Sequence, residues 1–193
     1  MCGVYHIDNK TVKEIQEIVH EITCKLNRTG DIYPSQSAIV ITGRKHKLIA
    51  EEMRWGFPHF QGKGLHINAR TETVLEKRTF RNSALYHRCV IPACHFYEWD
   101  MSKNKATFYR EDNSTLFFAG IYNSFEGENR FIILTTEAND SVIKVHDRMP
   151  LILERDEIED WIFDEQFIEF ARRKKSPMLD KFQEYEQQVL VFE

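Results

Sequence analysis

The chain has 193 residues, of which 42% are hydrophobic and 29% are charged, as is ordinary for a globular protein with one domain and a substantial core. No run of about 18 apolar residues occurs, so the sequence predicts neither a membrane span nor a secretion signal and favours a cytoplasmic location. The net charge of −4 lacks the footprint of a strongly basic nucleic-acid-binding domain, although clustered arginines could line a local basic groove: Arg70, Arg78, Arg81 and Arg88.

The cysteines predict neither a metal site nor a disulfide. Cys89 and Cys94 are close together and His95 adjoins them, but no second ligand pair follows at zinc spacing. In a cytoplasmic protein we expect Cys24, Cys89 and Cys94 to be buried thiols. The sequence therefore indicates no metal and no cofactor.

Cys2 is different, because removal of Met1 would leave it with an α-amine and a thiol on adjacent carbons. An α-amine has a pKa of about 8 and a cysteine thiol about 8.5, so modest tuning makes either group reactive near neutral pH. Any residue could follow the initiator Met, so the first three residues alone leave both a reactive and an inert Cys2 open.

The N-terminal third predicts a helix followed by two strands. Apolar residues recur at helical spacing over Thr11 to Leu26, with Thr11 as the cap. Asn27 to Pro34 is typical of a loop. Ala38 to Thr42 and Lys47 to Ala50 indicate short strands joined by a polar turn.

An aromatic and glycine-containing loop begins at Trp55. Its aromatic residues could simply pack in the core, or they could stack on bases of single-stranded nucleic acid beside arginines. A short polar stretch, Ile67 to Thr73, then leads into a predicted helix from about Val74 to Leu85.

Residues Arg88 to Trp99 form a β-like run in which Glu98 lies among three aromatic residues. A carboxylate in such surroundings is partly desolvated, which raises its pKa and suits it to general acid catalysis. Alternation along a strand could instead point Glu98 to solvent, and the pattern alone leaves both open.

Strands are predicted at Ala106 to Arg110, Leu116 to Tyr122 and Phe131 to Thr135, with polar turns between them. His146 lies in a later polar turn, just before a predicted strand at Leu151 to Leu153. A lone histidine is often structural, but such a turn can also present a proton-transfer group.

The C-terminal part predicts an acidic helix over Asp156 to Phe170, a solvated basic run at Arg172 to Lys175, and a last strand at Gln188 to Phe192. No repeat or linker indicates a domain boundary. The predicted fold class is α+β, with residues 1–193 forming a single domain whose curved, largely antiparallel, barrel-like β-sheet body is flanked by a few helices.

Several short motifs together resemble those of the SOS response-associated peptidase (SRAP) family, whose members sense abasic sites in DNA. Each motif is weak alone, but their order and their joint content of Cys, Asn, Glu and His make coincidence improbable. The motifs are Cys2-Gly3, Trp55-Gly56, Asn68-Ala69-Arg70-Thr71-Glu72-Thr73, Arg88-Cys89-Val90-Ile91-Pro92-Ala93, Phe96-Tyr97-Glu98-Trp99 and His146-Asp147-Arg148-Met149-Pro150.

The resemblance implies the SRAP fold and a covalent partner, single-stranded DNA that carries an abasic site. The Cys2 amine would form an imine with the sugar aldehyde and the thiol would close a thiazolidine ring. In this scheme Asn68 orients the amine or a sugar oxygen, Glu98 acts as acid and base, and His146 assists ring opening or shuttles protons. The protein would be a monomer that joins the nucleoid at damaged DNA.

The same resemblance implies DNA contacts outside the reactive set. Arg70 and Arg148 would hold phosphates that flank the lesion, with Arg78 as a third, so little sequence preference is expected. Trp55 and Phe60 would supply aromatic contacts to bases. Three departures from the family pattern affect these contacts. Val4 replaces an expected arginine, and Asp31-Ile32-Tyr33-Pro34 replaces Asn-Val-Ala-Pro. The aromatic loop after Trp55 is short, with Phe60 in place of a tryptophan that would wedge between bases.

Other functions stay open. Class II glutamine amidotransferases also start with Met-Cys-Gly, but their Arg-Gly-Pro-Asp and Asn-Gly-Glu motifs are missing here. An N-terminal-Cys peptidase could process its own leader, yet Met1 alone precedes Cys2 in this sequence. An inert Cys2 would instead leave a non-covalent single-strand-binding module with salt-sensitive affinity. Imine chemistry would also permit a DNA lyase side reaction.

Overall fold

A closed barrel of five strands dominates the computed structural model, which describes residues 2–27, 29–60 and 62–184. Within those ranges the strands are β1 Val4–Ile7, β2 Glu21–Ile22, β3 Gly30–Ile32, β4 Ser37–Arg44, β5 Lys47–Trp55, β6 Phe57–Pro58, β7 Leu65–His66, β8 Asn68–Arg70, β9 Arg88–Ala93, β10 His95–Trp99, β11 Lys105–Tyr109, β12 Leu116–Phe125, β13 Glu128–Glu137, β14 Arg148–Pro150, β15 Ile152–Leu153 and β16 Asp180–Gln183. The helices there are α1 Asn9–Ile18, α2 Arg78–Tyr86, α3 Ile158–Phe163 and α4 Phe167–Ala171, with 3-10 turns at Thr71–Thr73 and Arg155–Glu157.

The barrel runs in the order β5, β4, β9, β12 and β13, and it closes where β13 pairs with β5 in parallel. Its other neighbouring strands are antiparallel. Both faces are buried along the central residues of β4, β9, β12 and β13, whereas β5 exposes Glu52. Phe118 and Ile133 belong to one apolar cluster, whereas Phe117 and Ile132 belong to another that includes residues of the helices. Burial on both faces explains why the central parts of these four strands are continuous apolar runs rather than alternating ones.

A second sheet of five antiparallel strands covers one side, in the order β16, β11, β10, β1 and β3. Tyr5, Phe96 and Phe108 point from it into the first apolar cluster. The central pair, β1 and β10, pairs Val4 with Tyr97. This sheet therefore places the chain start beside the segment that contains Glu98.

The predicted barrel-like, largely antiparallel α+β body is confirmed, and most predicted strands coincide with observed ones. The strands predicted near residues 38, 47, 106, 116 and 131 correspond to β4, β5, β11, β12 and β13. The predicted strand at Leu151 to Leu153 is β15, and the β-like run of Arg88 to Trp99 is two strands separated at Cys94. The strand predicted at Gln188 to Phe192 lies outside the described residues.

The first helix is shorter than the apolar spacing predicted. It begins after Asp8, whose side chain accepts a 2.7 Å hydrogen bond from the Thr11 amide, so the prediction of Thr11 as the cap was wrong. It ends at Ile18 because the chain becomes extended at Val19 and β2 pairs with β5. A tertiary strand pairing thus overrides helical periodicity.

The other two predicted helices also differ in extent. The helix expected from Val74 starts at Arg78, after the 3-10 turn. The acidic helix is divided into α3 and α4, and buried Arg88 donates hydrogen bonds to the carbonyls of Asp164 and Glu165 in the break. Arg88 therefore provides hydrogen-bond donors to carbonyl groups at the end of a helix, and it does not line a basic groove. In the described ranges no helix has the length and apolarity to cross a membrane.

Candidate active site

Cys2 lies two residues before the start of β1 and has no exposed surface. Burial raises the pKa of its thiol well above the ordinary value, and the nearby charge of Glu98 raises it further. The thiol is therefore neutral at physiological pH, and a base must accept its proton before the sulfur can act as a nucleophile. Because Met1 precedes it, the Cys2 nitrogen is a peptide nitrogen until that residue is removed.

Asn68 holds the backbone of Cys2. It is the first residue of β8, which pairs in parallel with β13, and its Nδ2 donates a 2.9 Å hydrogen bond to the Cys2 carbonyl. Its Oδ1 is buried and has no hydrogen-bond partner in the described part of the chain. Asn68 thus holds the Cys2 backbone through Nδ2, while Oδ1 can accept a hydrogen bond from another donor.

Glu98 lies one step along the β1–β10 ladder from the Val4–Tyr97 pair, in the direction of Cys2. Its side chain is only 3% exposed. Burial raises its pKa to about 7, and the charge of Asp147 acts in the same direction. A carboxyl group with this pKa exchanges a proton readily at neutral pH, so the prediction of a desolvated Glu98 is confirmed and the solvent-facing alternative is wrong.

His146 occupies the turn before β14, with its amide bonded to the Val142 carbonyl. Its Nδ1 lies 3.0 Å from the amide nitrogen of Arg148 and 2.9 Å from Oδ1 of Asp147. The ring accepts from the amide when Nδ1 is unprotonated and can donate to the carboxylate when it is protonated. Burial lowers the pKa of His146, which favours the neutral ring.

A partly buried ion pair joins the His146 turn to the Asn68 segment. Arg148 donates to both carboxylate oxygens of Glu72, at 3.0 and 2.8 Å, and also to the Thr135 carbonyl. Burial alone would raise the pKa of Glu72, but the bonds from Arg148 outweigh it and the net pKa is lowered. Sequence reasoning assigned no role to Glu72, although its position two residues after Arg70 in the shared motif was a signal.

The predicted DNA-contact residues fall into different environments. Arg70 is exposed and borders a depression that is also lined by Asp147 and Arg148. Arg148 is 7% exposed, so a phosphate would have to displace one of its present partners or approach the edge of its guanidinium. Arg78 is exposed at the start of α2, and Phe60 is 98% exposed beyond β6. Contacts of these four residues with DNA stay predictions.

Trp55 does not lie where the predicted contact with DNA bases requires it to be. The residue has no exposed surface, its ring stacks on Phe131 at 6.1 Å, and its Nε1 donates to the Ile67 carbonyl. A ring in this position cannot stack on a base, so its assignment to DNA binding was wrong. Its contribution is to fix the backbone just before Asn68.

Comparison with known proteins identifies the family. The sequence matches SOS response associated peptidase (SRAP) over residues 1–191. The chain belongs to the SRAP family. YoqW of Bacillus subtilis, an abasic site processing protein, is 34% identical over 183 residues, which are 84% of this chain and 80% of YoqW.

Two further relatives carry the same description. YoaM of Bacillus subtilis is 35% identical over 68% of this chain, and YedK of Escherichia coli is 28% identical over 68%. The alignments cover 64% and 63% of those proteins, so this SRAP chain spans just under two thirds of their lengths.

Solved structures share the SRAP chain's fold. A protein from Bordetella bronchiseptica has a TM-score of 0.79 at 22% identity, covering 96% of this chain and all of its own. A protein from Bacteroides thetaiotaomicron has a TM-score of 0.77 at 22% identity, covering 94% of this chain and 91% of its own. At these identities the likeness concerns the fold alone.

Proposed function

We propose that this SRAP chain senses abasic sites in single-stranded DNA and joins them covalently through Cys2. The observation that supports this most directly is that Asn68 and Glu98 both lie beside Cys2. Asn68 holds the Cys2 carbonyl, and Glu98, with a pKa near neutrality, lies close enough to perturb the Cys2 thiol. The relatives described as abasic site processing proteins support the same lesion as the target.

The reaction joins one aldehyde, one amine and one thiol and releases one water. After Met1 is removed, the Cys2 amine adds to the C1′ aldehyde of the ring-opened deoxyribose, and loss of the hydroxyl as water gives an imine. The Cys2 sulfur then adds to the imine carbon while the nitrogen takes up a proton. The product is a five-membered thiazolidine ring, with no change of oxidation state.

The chain's own groups account for the proton transfers. Glu98 in its acid form donates to the departing hydroxyl, and the resulting carboxylate accepts the proton of the Cys2 thiol at ring closure. Such a base is needed because burial keeps that thiol neutral. His146, whose Nδ1 faces both an amide and a carboxylate, moves the proton that opens the sugar ring. Asn68 Oδ1 receives a hydrogen bond from the amine or a sugar hydroxyl.

Phosphates beside the lesion would meet Arg70 and Arg78, and Arg148 lines the same depression as Arg70. Phe60, exposed at the end of the β6–β7 hairpin, would pack on a base. These contacts are charge and stacking interactions, so DNA binding should weaken with salt and depend little on sequence.

A denaturing gel tests this function directly. The Met1-free protein is incubated with single-stranded DNA in which a uracil glycosylase has created one abasic site, and intact mass confirms the removal of Met1. A heat-stable shifted band is expected for the wild type and for Cys24→Ser, a matched control on a half-buried cysteine distant in sequence. Cys2→Ala should give no band, and Asn68→Ala should give a band that forms more slowly.

The gel also separates the alternatives. An undiminished band with Cys2→Ala would show that another nucleophile reacts, and the absence of any wild-type band would refute covalent capture. Binding at low salt without a band would leave the non-covalent module, and a shortened DNA strand would indicate lyase cleavage.

A further inference from the structure

A second cluster of functional side chains lies on the outer face of the five-stranded sheet, away from the core. His6 on β1 is directly opposite Asp31 on β3 and directly opposite His95 on β10. The three residues thus form a row across three adjacent strands. One ligand atom from each, all within 4.8 Å of one another, completes the arrangement.

These groups already interact. His6 Nδ1 lies 2.7 Å from Asp31 Oδ1, and the His6 and His95 rings are stacked with centroids 4.6 Å apart. Tyr97 bridges Asp31 and His95, since its hydroxyl donates to Asp31 Oδ1 at 3.0 Å and lies 2.8 Å from His95 Nε2. Strand register, rather than flexible surface side chains, therefore brings the imidazoles and the carboxylate together.

We propose that His6, Asp31 and His95 bind one divalent transition-metal ion of the Zn²⁺ class, with water as the remaining ligand. Two imidazole nitrogens and one carboxylate oxygen suit this class, and three protein ligands plus water complete a tetrahedron. The set excludes a calcium-type site, because calcium takes six or more oxygen ligands.

Only small side-chain movements separate the present arrangement from a coordinated one. Tetrahedral bonds of about 2.0 Å place ligand atoms about 3.3 Å apart, compared with the present limit of 4.8 Å. The stacked rings, inclined by 8°, must tilt so that their lone pairs converge. Since His6 and His95 are each only half-buried, rotation about their side-chain torsions needs no movement of the strands.

The neighbouring side chains can orient the proposed ligands. Tyr97 can keep its bond to Asp31 and orient that carboxylate as a ligand. The charge of Lys105, whose ammonium lies 3.5 Å above the Tyr97 ring, is opposed by Asp8 and Asp31.

The site would not share ligands with the candidate active site. It uses the opposite face of the two strands that position Cys2 and Glu98, and an ion there would connect β3, β1 and β10. Metal binding should therefore stabilise the sheet that positions the reactive residues. The metal-site proposal does not depend on the proposed DNA chemistry.

Zinc titration of the untagged chain in competition with a chromophoric chelator tests the proposal. One Zn²⁺ per chain and a raised melting temperature are expected. His6→Gln, Asp31→Asn and His95→Gln should each weaken binding by about tenfold or more. His46→Gln, at an exposed histidine in the β4–β5 turn, should retain wild-type affinity.

Geometry can be read independently with Co²⁺, because a tetrahedral site gives intense visible absorption bands that should disappear in His95→Gln. Far-ultraviolet circular dichroism establishes that the variants are folded. If one ligand variant is unfolded, the folded variants of the other two ligands test the site in its place, and each should bind Zn²⁺ more weakly than the wild type. No saturable binding by the wild type, or equal affinity in folded His95→Gln and wild type, would overturn the site.

Discussion

Replacement of Glu98 by Gln should stabilise the protein at alkaline pH while disabling it. The buried carboxyl prefers its protonated form, so ionisation of Glu98 works against folding. Gln has nearly the same shape and cannot ionise. The variant therefore removes the cost of burying a charge and removes the proton donor at the same time.

The magnitude follows from the pKa. A value of about 7 in the fold, against 4.5 ordinarily, corresponds at 1.36 kcal/mol per pKa unit to about 3 kcal/mol. Because the folded pKa is raised, the stability linked to Glu98 is fully present below pH 4.5 and is lost as the pH rises through about 7. The stability of Glu98→Gln relative to the wild type should therefore increase by up to about 3 kcal/mol over this window.

Urea denaturation of both proteins from about pH 4 to about pH 8 measures this difference, and comparing the two cancels the titration of other groups. Glu111→Gln, at an exposed glutamate, is the control for replacing a glutamate by glutamine. Crosslinking by Glu98→Gln should be slower by about a hundredfold. A stability difference that stays constant across the pH range would refute the reasoning, since Glu98 would then be ionised at no cost.

Three further substitutions probe the rest of the site. Arg148→Lys loses the two-point contact with Glu72, so it should lower the free energy of unfolding by about 2 kcal/mol in urea denaturation and slow crosslinking. An unchanged free energy of unfolding would contradict a stabilising role of this ion pair. Phe60→Ala should leave the melting temperature unchanged but weaken binding to abasic single-stranded DNA by about tenfold in fluorescence anisotropy, and equal affinity would exclude stacking. Trp55→Phe should do the reverse. It should lower the free energy of unfolding by about 1 to 3 kcal/mol, because the hydrogen bond to the Ile67 carbonyl is lost, and it should leave DNA affinity unchanged. Weaker DNA binding by a fully folded variant would show that Trp55 does contact DNA.

Short-range features of the fold were predictable from the sequence. The strand pairs around residues 38 to 55 and 116 to 137 have polar turns between apolar runs, which is a local signal. The length of α1 was not predictable, because it ends where β2 pairs with a strand about 28 residues further along the chain. Helical periodicity describes one face of a segment and contains no information about its partners.

Among the candidate site residues, composition and motif order selected Cys2, Asn68, Glu98 and His146, each a residue type capable of the proposed chemistry. The sequence left two environments open for Glu98 and two for Trp55. Burial decided both, by desolvating the carboxyl of Glu98 and enclosing the Trp55 ring. The metal prediction considered Cys89, Cys94 and His95 as sequence neighbours, whereas the ligand row that we propose joins His95 to residues 64 and 89 positions away.

The sequence by itself determined which chemical groups this chain possesses, the apolar runs that become its barrel and the motifs that place it among SRAP proteins. The tertiary structure alone decided the raised pKa of Glu98, the pairing of Arg148 with Glu72 and the row of His6, Asp31 and His95. The reason is physical. A pKa and an ion pair depend on what surrounds a group in space, and strand pairing brings those surroundings from distant parts of the chain.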